Sequence, residues 1–344
     1  MPEINRRWLL AARPVGMVKD SDFKRVDEPV PEPGAGEFLV RQTHLSFDPT
    51  QRGWISVDTY LPAVKLGDVV RAGGVGQVVK SNHPNFKVGQ LVQGGFGWQD
   101  YMVTAGQTEF MPVQPLFPGV RPEQALSVFG ITGLTAWFGL TDIGKPKAGE
   151  TVVVSGAAGA TGSVVVQIAK ALGCTVVGIA GGAEKCAWVK DVAGADACVD
   201  YKAVDVLTTL KRHTPKGIDV VFENVGGRIL EASMLNLAQR ARIVLCGAIS
   251  GYNAETGIPD GIRTYMMLTQ MRARMEGFIV LDYAPRYGEG VQALARLMAE
   301  GKLKTAEDVQ EGFDNIPATL RRLFEGKNLG KQLLKIADPP LPVV

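Results

Sequence analysis

The sequence predicts an α/β protein in which a doubly wound parallel sheet follows a β-rich first half. Three observations predict this class. The chain has 344 residues, which suggests two domains at roughly 100 to 200 residues each. Up to about Gly106, short β-type runs are separated by glycine and proline, and from about Gly149 strands and helices alternate. The 41 glycines exceed the usual usage of about 7% without forming a repeat, so we expect them at turns and close backbone approaches.

Composition and charge exclude several classes of protein. Charged residues make up 21% and the AVILMFWYC set 46%, so the chain is neither disordered nor membrane-spanning in character. Lysine and arginine number 37 against 35 acidic residues, which gives a net charge of +2. The sequence has no block of like charges that could bind along a phosphate backbone. We therefore expect no nucleic-acid partner.

No segment predicts export or membrane insertion. The N-terminal apolar run, residues 8–12, is too short for a signal-peptide core. Residues 151–169 carry no charge, but their glycines and hydroxyl groups predict a buried strand, a turn and a helix instead of a membrane span. The four cysteines lie in apolar or small-residue contexts and are interpreted as free buried thiols. They are Cys174, Cys186, Cys198 and Cys246. The expected location is cytoplasmic.

The first half has short β-type runs at 37–41, 74–79 and 90–93 and no helical periodicity, so it predicts an all-β barrel or sandwich with long loops. In the second half, the strands of the doubly wound sheet are expected at 151–155, 175–180, 197–201, 218–224, 242–248 and 277–281. Between the first two of these strands, the sequence predicts a helix with apolar residues along one face. Its residues are Val164, Val165, Ile168, Ala169 and Leu172.

The last part of the chain reads as a helix at 317–324 followed by an alternating strand at 331–336. This strand comes after all those of the parallel sheet, and we expect it to return to the first domain.

A glycine-rich turn directly follows the first strand of the second half. The run Ser155-Gly156-Ala157-Ala158-Gly159-Ala160-Thr161-Gly162-Ser163 has glycine at every third residue. Such glycines bring backbone N–H groups and a helix N-terminus against a pyrophosphate. With a strand before it and an amphipathic helix after it, the run predicts dinucleotide binding rather than a simple connecting turn.

The tip of the second strand favours NADP over NAD. An acidic residue there would bind a free ribose 2′-hydroxyl, but the chain has Gly181-Gly182-Ala183-Glu184-Lys185. The glycine removes repulsion toward a 2′-phosphate, and Lys185 supplies a cation for it. The alternative is that Lys185 is an ordinary solvated residue at a helix start.

Metal and nucleophilic chemistry lack the residues they require. The β-rich half has no cysteine and only His44 and His83, too few ligands for catalytic zinc. His213 stands in a polar stretch and is expected at the surface. No Gly-x-Ser-x-Gly elbow is present. Hydride chemistry would therefore depend on the nicotinamide cofactor, with a hydrogen-bond donor such as tyrosine.

Several longer motifs occur in a characteristic order. They are residues 66–76, 81–86, 97–101, 222–227, 246–253, 276–280 and 328–331. On these motifs the chain resembles, over nearly its whole length, the zinc-free medium-chain dehydrogenases/reductases. The group it resembles comprises prostaglandin reductase/leukotriene B4 12-hydroxydehydrogenase, plant alkenal double-bond reductases and bacterial curcumin reductases. Zinc-dependent relatives carry Gly-His-Glu where this chain has Ala72-Gly73-Gly74-Val75-Gly76.

The resemblance implies a domain organisation and a set of roles. It implies a GroES-like β-barrel substrate domain at 1–125 and 312–344, and a Rossmann NADP-binding domain at 126–311. The implied cofactor residues, beside the glycine turn (Gly156, Gly159, Ala160, Thr161, Gly162 and Ser163), are Lys185, Tyr201, Asn224, Cys246, Gly247, Ala248, Ile249, Ser250, Tyr252, Phe278, Ile279, Val280 and Asn328. Lys185 and Tyr201 would bind the 2′-phosphate, and Tyr252 would place a hydroxyl near the substrate carbonyl. The alternative for Tyr252 is an aromatic ring packed in its loop.

One departure bears on substrate choice. Family members commonly have Asp-Pro-Tyr-Met-Arg-Gly where this chain has Asp48-Pro49-Thr50-Gln51-Arg52-Gly53. The tyrosine that Thr50 replaces borders the family's substrate pocket, so substrate choice does not transfer from any one relative. The stretch 265–271 is interpreted as helix core, with a pocket wall or a dimer contact as the alternatives.

The resulting expectation is an NADPH-dependent reductase of C=C bonds conjugated to a ketone or aldehyde, active as a homodimer on a small-molecule substrate without metal. Two alternatives stay open: an NADP-dependent dehydrogenase of allylic secondary alcohols, and an NADPH-binding protein without turnover.

Overall fold

The computed structural model describes residues 4–255 and 261–344, which divide into two compact units. Among these residues, the first unit comprises 4–126, 308–328 and 332–344, and the second comprises 127–255, 261–307 and 329–331. Each unit has its own apolar core.

The first unit is built mainly from antiparallel strands. Its strands are β1 (Ile4–Leu10), β2 (Phe23–Pro29), β3 (Phe38–Ser46), β4 (Gly74–Ser81), β5 (Leu91–Gly94), β6 (Tyr101–Thr104), β7 (Gln114–Pro115), β14 (Glu307–Glu311) and β15 (Lys331–Lys335), and its helices are α1 (Thr50–Trp54), α2 (Pro122–Leu126) and α10 (Ile316–Phe324). Strands β1 and β2 pair with each other, and the larger sheet runs β14-β15-β3-β4-β5-β7, with β6 also pairing β3.

The C-terminal strand joins this antiparallel sheet. Strand β15 pairs antiparallel with β3, with Leu334 opposite Leu45. Both leucines are fully buried, so the apolar alternation of β15 faces the core of the first unit. This confirms the expected return of the last strand.

The second unit is a parallel sheet with helices. Its elements are α3 (Ile131–Phe138), β8 (Thr151–Ser155), α4 (Ala160–Ala171), β9 (Thr175–Ala180), α5 (Ala183–Asp191), β10 (Ala197–Asp200), α6 (Val206–His213), β11 (Ile218–Glu223), α7 (Gly227–Met234), β12 (Leu237–Leu245), α8 (Met266–Met271), β13 (Arg274–Gly277) and α9 (Tyr287–Ala299). The order β10-β9-β8-β11-β12-β13 is that of a dinucleotide-binding doubly wound sheet.

Both faces of the parallel sheet are covered. Along β8, Val152 and Val154 belong to the core cluster on one face, and Val153 belongs to the cluster on the other. All three are fully buried, as expected for a parallel strand between two helix layers. The predicted α/β class is confirmed.

Three local predictions were wrong. The last parallel strand is β13, not 277–281, because Leu245 pairs with Gly277 at its end and 3₁₀ turns occupy Val280–Arg286. Strand β12 ends at Leu245, because Cys246 and Gly247 donate their N–H groups to the Glu223 carbonyl. Leu172 follows the last residue of α4 and is 40% exposed.

The stretch 265–271 is only partly core. Met267, Leu268 and Met271 pack against the core of the second unit, whereas Tyr265 and Met266 are 60% and 51% exposed. Across the described residues, no helix is long and apolar enough to cross a membrane.

Candidate functional site

The glycine-rich turn lies at the carboxyl end of β8. Gly156 has φ +61°, a conformation that glycine adopts without strain. The Ala157 N–H donates to the Ile179 carbonyl at 3.0 Å and ties the turn to β9. A Cβ atom at Gly162 would lie 2.3 Å from the Gly156 carbonyl oxygen. Glycine at 162 therefore allows the helix to start directly against the turn.

The first turn of α4 carries backbone N–H groups without acceptors inside the helix, although Ala160 lies beside the bridge between Gly159 and Gly330. Gly159 is the N-cap, and Ser163 donates its N–H to the Gly159 carbonyl at 3.0 Å as the helix begins. The preceding N–H groups, those of Ala160, Thr161 and Gly162, have no intrahelical acceptors. Together with the positive end of the helix dipole, these donors suit a pyrophosphate.

At the ends of β9 and β10, a tyrosine ring occupies the position of the missing acid. A Cβ atom at Gly181 would lie 2.7 Å from the ring and hydroxyl of Tyr201. A carboxylate side chain at 181 would compete for the same space as this ring. Lys185 is half-exposed in the third position of α5, and Tyr201 is 43% exposed. The geometry thus favours binding of a ribose 2′-phosphate over binding of a free 2′-hydroxyl by an acidic side chain.

Asp200 holds the same corner together. Its Oδ1 accepts the N–H groups of Gly182 and Lys202 at 2.8 and 3.0 Å. These bonds set the Gly182 turn that leads into α5. Sequence reasoning missed this residue, although its place at the tip of the third strand was available as a signal.

The centre of the sheet, between β8 and β11, is the point where the strand order reverses. Ligands of open α/β sheets bind outside the carboxyl ends of the strands at such a point. Here the Asn224 side-chain amide donates to the Ser155 carbonyl at 2.7 Å, and its backbone N–H donates to the Ser155 hydroxyl at 2.8 Å. Asn224 is therefore held across the two central strands.

Sequence reasoning also missed Glu223, which lies beneath this point. Its carboxylate Oε1 accepts the Ser155 hydroxyl at 2.7 Å and the N–H groups of Val225 and Gly226 at 2.6 and 2.7 Å. Burial raises the pKa of Glu223, although the Gly226, Ser155 and Val225 bonds oppose that shift. An acidic residue directly after the apolar run 220–222 was the available signal, since a buried carboxyl requires partners.

The predicted nicotinamide-side loop follows β12. The Ile249 N–H donates to the Asn224 carbonyl at 3.2 Å, and Ser250 donates its N–H and its hydroxyl to the Val225 carbonyl at 3.0 and 2.6 Å. A 3₁₀ turn spans Ile249–Gly251 and leads to Tyr252. The loop is thus attached to the turn that Glu223 holds.

The Tyr252 hydroxyl points back over its own loop. It accepts the Ala248 N–H at 3.2 Å, and a Cβ atom at Gly247 would lie 3.1 Å from the same oxygen. A hydroxyl that accepts a hydrogen bond becomes a stronger donor through its own proton. The structure therefore gives Tyr252 a defined place at the carboxyl edge, as a candidate proton donor.

Cys246 is not arranged as a nucleophile. Burial, with a smaller effect of the nearby Glu223 charge, raises the pKa of its thiol to about 12. The thiol is therefore protonated at neutral pH, and the thiolate is the reactive form. The four cysteines are free, as predicted; Cys174 and Cys186 are buried, and Cys198 and Cys246 are half-buried.

The remaining predicted cofactor residues lie on two segments. Phe278 packs against Gly139, where a Cβ atom would lie 2.5 Å from its ring, and Ile279 is half-buried beside it. Val280 is buried. Asn328 is also buried and lies two residues before Gly330, whose N–H donates to the Ala158 carbonyl at 2.8 Å.

In the first unit, Thr50 has a tyrosine partner. Its hydroxyl lies 2.8 Å from the Tyr60 hydroxyl, and the Tyr60 ring meets Trp54 edge to face. A tyrosine ten residues along the chain thus brings a phenol to the position that departs from the family motif.

Within residues 4–255 and 261–344, no group of three or more histidine, cysteine or acidic side chains is arranged to hold a metal ion. His213 is exposed, as predicted. Metal independence itself stays a prediction.

Comparison with known proteins matches each of the two units to an oxidoreductase or dehydrogenase family model. A family model described as the N-terminal domain of oxidoreductase matches residues 6–113, and one described as zinc-binding dehydrogenase matches residues 160–298. The NADPH-dependent curcumin reductase of Escherichia coli (strain K12) is 41% identical over 97% of this chain and 97% of its own. The NADP(+)-dependent 2-alkenal reductase of Nicotiana tabacum is 37% identical over 97% of this chain and 98% of its own.

A solved structure extends this similarity to three dimensions. The crystal structure of CurA from Vibrio vulnificus in complex with NADPH superimposes with a TM-score of 0.90 at 43% identity, covering 97% of this chain and all of that one (100%).

Proposed function

The chain belongs to the medium-chain dehydrogenase/reductase family, in the group of curcumin, alkenal and prostaglandin reductases, and from this premise we propose its reaction. It is an NADPH-dependent reductase of carbon–carbon double bonds conjugated to a ketone or aldehyde. The observation that carries the proposal is the Tyr252 hydroxyl, held by the Ala248 N–H at the carboxyl edge of a dinucleotide-binding sheet.

The chain's own residues suit NADPH along the whole carboxyl edge. The first turn of α4 would hold the pyrophosphate through backbone N–H groups. Lys185 and Tyr201 would hold the adenosine 2′-phosphate. An acidic side chain at position 181 would repel this phosphate, but the chain has glycine there, with the Tyr201 ring packed over it. Asn224, the loop 246–252, the segment 278–280 and Asn328 would border the nicotinamide half. When bound, NADPH supplies the hydride that adds to the electrophilic β-carbon of the conjugated carbonyl.

Tyr252 handles the charge and the proton of this reaction. Negative charge develops on the substrate carbonyl oxygen, and the Tyr252 hydroxyl donates a hydrogen bond to that oxygen. The Ala248 N–H supports the tyrosine oxygen while its proton is shared. The α-carbon then receives a proton from the Tyr252 hydroxyl or from water, which completes reduction of the double bond.

Substrate choice within this class does not carry over from any one relative. The names of the two relatives indicate a curcumin and a 2-alkenal as substrates, both conjugated carbonyl compounds. The Thr50–Tyr60 pair is this chain's departure from the family motif. A panel of 2-alkenals, cyclic enones, aryl enones and long-chain enones would identify the preferred class.

Isotope transfer tests the proposal directly. NADPH oxidation is followed with and without a simple enone, using cofactor deuterated at nicotinamide C4. We expect enone-dependent oxidation and deuterium at the β-carbon of a saturated ketone. Deuterium on the carbonyl carbon, giving an allylic alcohol, would contradict the proposal. Reduction of NADP+ by an allylic alcohol without enone reduction would favour the dehydrogenase, and no turnover at all would favour a binding protein.

The active form is a homodimer in the cytoplasm. Strand β13 is the last in the sheet order among the described residues, and the exposed Tyr265 and Met266 belong to the segment that packs beside β12. These features support self-association through that edge. The four free thiols support a reducing compartment. Light scattering would give the mass in solution, and a monomer at micromolar concentration would contradict the dimer. Fractionation of the native host's cells would test the location.

A further inference from the structure

Glu223 is a buried acidic group that the proposed reaction does not use, and among the described residues it is more buried than Asp22 and Asp100. It ends β11, its side chain has no measurable exposure, and it has no basic residue among its hydrogen-bond partners. Its Oε2 atom is buried without a hydrogen-bond partner among the described residues. Three hydrogen bonds converge on its Oε1, from Ser155, Val225 and Gly226.

A buried carboxyl in such surroundings is costly, since a buried charge is normally paired with a cation. An alanine-like apolar strand end would avoid that cost. The turn after Glu223 is shaped to meet the carboxyl, because Gly226 and Gly227 have φ +79° and +53°. Within this turn, the N–H groups of Val225 and Gly226 both donate to one oxygen. The arrangement therefore serves the turn and not the strand.

The turn 224–226 also holds the loop 246–252, which carries Tyr252. The Asn224 carbonyl accepts the Ile249 N–H, and the Val225 carbonyl accepts both Ser250 donors. The Glu223 backbone carbonyl accepts the N–H groups of Cys246 and Gly247 at 3.0 and 3.1 Å. The loop 246–252 is thus attached at its start and its middle to Glu223 and the turn it organises.

We infer that Glu223 is a positioning residue: its Oε1 atom fixes the turn 224–226, and that turn fixes the loop carrying Tyr252. The inference rests on the proposed function only for the consequence in catalysis. The positioning itself is a property of the chain without cofactor or substrate.

Three variants separate the acceptor atom from the charge. Glu223→Gln keeps an oxygen where Oε1 lies, so it should preserve the turn. Glu223→Leu keeps the approximate volume and removes the acceptor from three buried donors. Ser155→Ala removes only the hydroxyl that joins Glu223 to the Asn224 N–H. It is the less disruptive variant, for use if Glu223→Leu folds poorly. The matched control is Glu150→Gln, at the start of β8, on the opposite edge of the same sheet.

Hydrogen exchange of the full chain without ligand tests the positioning. In Glu223→Leu, amides in 224–226 and 246–252 should exchange about tenfold faster, since three buried donors lose their acceptor. Ser155→Ala should give a smaller increase in the same segments, while Glu223→Gln and Glu150→Gln should leave both protected. Unchanged exchange at 246–252 in both Glu223→Leu and Ser155→Ala would overturn the inference. Uniformly faster exchange over the whole second unit would also overturn it, as a merely structural role.

A double-mutant comparison tests the consequence in catalysis. If Glu223 acts through Tyr252, then Glu223→Leu should lower kcat about tenfold in the native background and much less in the Tyr252→Phe background. Equal losses in both backgrounds would overturn the action through Tyr252. If Tyr252→Phe alone has no effect on kcat, the proposed role of Tyr252 fails. The exchange result then still decides whether Glu223 positions the loop.

Discussion

The two edges of the parallel sheet each hold an acidic side chain beside the central strands β8 and β11, and they hold it differently. At the carboxyl edge, Glu223 is bound by backbone N–H groups and the Ser155 hydroxyl. At the amino edge, Glu150 accepts the Lys147 N–H at 2.9 Å and forms an ion pair with Arg242 at 2.5 Å. Arg242 also donates to the carbonyls of Gly144 and Lys145.

This difference sets the direction of each pKa. Burial raises the pKa of Glu223, because its neutral donors do not offset the loss of solvent. Burial acts in the same direction on Glu150, but the bonds from Arg242 and Lys147 lower its pKa overall. At the amino edge, the charges of Glu150 and Arg242 thus pair with each other and stabilise the sheet. The carboxyl edge instead carries the first turn of α4 and the Tyr252 hydroxyl, which accepts the Ala248 N–H.

The largest expected effect is at the carboxyl edge. Tyr252→Phe removes the hydroxyl and keeps the ring, so kcat should fall about 10- to 1000-fold, the range of single-donor and proton-transfer effects. NADPH affinity should hardly change. Steady-state kinetics with a deuteride isotope effect measures it, and Tyr265→Phe, on an exposed side chain, is the control. Full kcat with chemistry rate-limiting would favour a packing role for Tyr252.

The next effect tests the cofactor end of the same edge. Lys185→Ala removes one charge-assisted contact to the 2′-phosphate, worth roughly 1.5–3 kcal/mol. The KM for NADPH should rise about tenfold or more, and that for NADH should barely move. Lys190→Ala, an exposed lysine on the same helix, is the matched control. An equal loss with both cofactors would show that Lys185 does not bind the phosphate.

At the amino edge the expected effect is on stability. Glu150→Gln breaks a partly buried ion pair and should lower the free energy of unfolding by about 1 kcal/mol at pH 7, with kcat unchanged. Because the folded pKa of Glu150 is lowered from 4.5, the pair contributes fully above that value. Its contribution is lost as pH falls through the lowered pKa, so the two proteins should converge there. Urea unfolding at several pH values measures this, and a difference that persists in acid would contradict the ion-pair origin.

The smallest expected effect is none. Dialysis against a strong chelator should leave activity unchanged, and elemental analysis should find no stoichiometric zinc, because the reaction proposed for the carboxyl edge uses a tyrosine donor. Loss of activity that zinc restores would place a metal in the reaction and break the assignment of that edge.

The glycine turn proposed to hold the cofactor was largely predictable because its signals are local. The strand 151–155, the glycine turn and the start of α4 are contiguous in sequence, and the structure has β8 at those bounds. The fifth and sixth strands were placed less well, because their ends depend on bonds from the Glu223 carbonyl and on packing around Val280.

By itself, the sequence determined the α/β class, the glycine turn after β8, the free thiols and the return of β15 to the first unit. Periodicity and glycine spacing act over a few residues, so they are visible in one chain. Only the tertiary structure showed that the Tyr201 ring stands over Gly181, that Ser155 bonds Glu223 across 68 residues, and that Ala248 holds the Tyr252 hydroxyl. The first two contacts join separate strands of the sheet, and the third depends on how the loop folds back. Their geometry exists only once the strands are aligned and their loops meet at one edge.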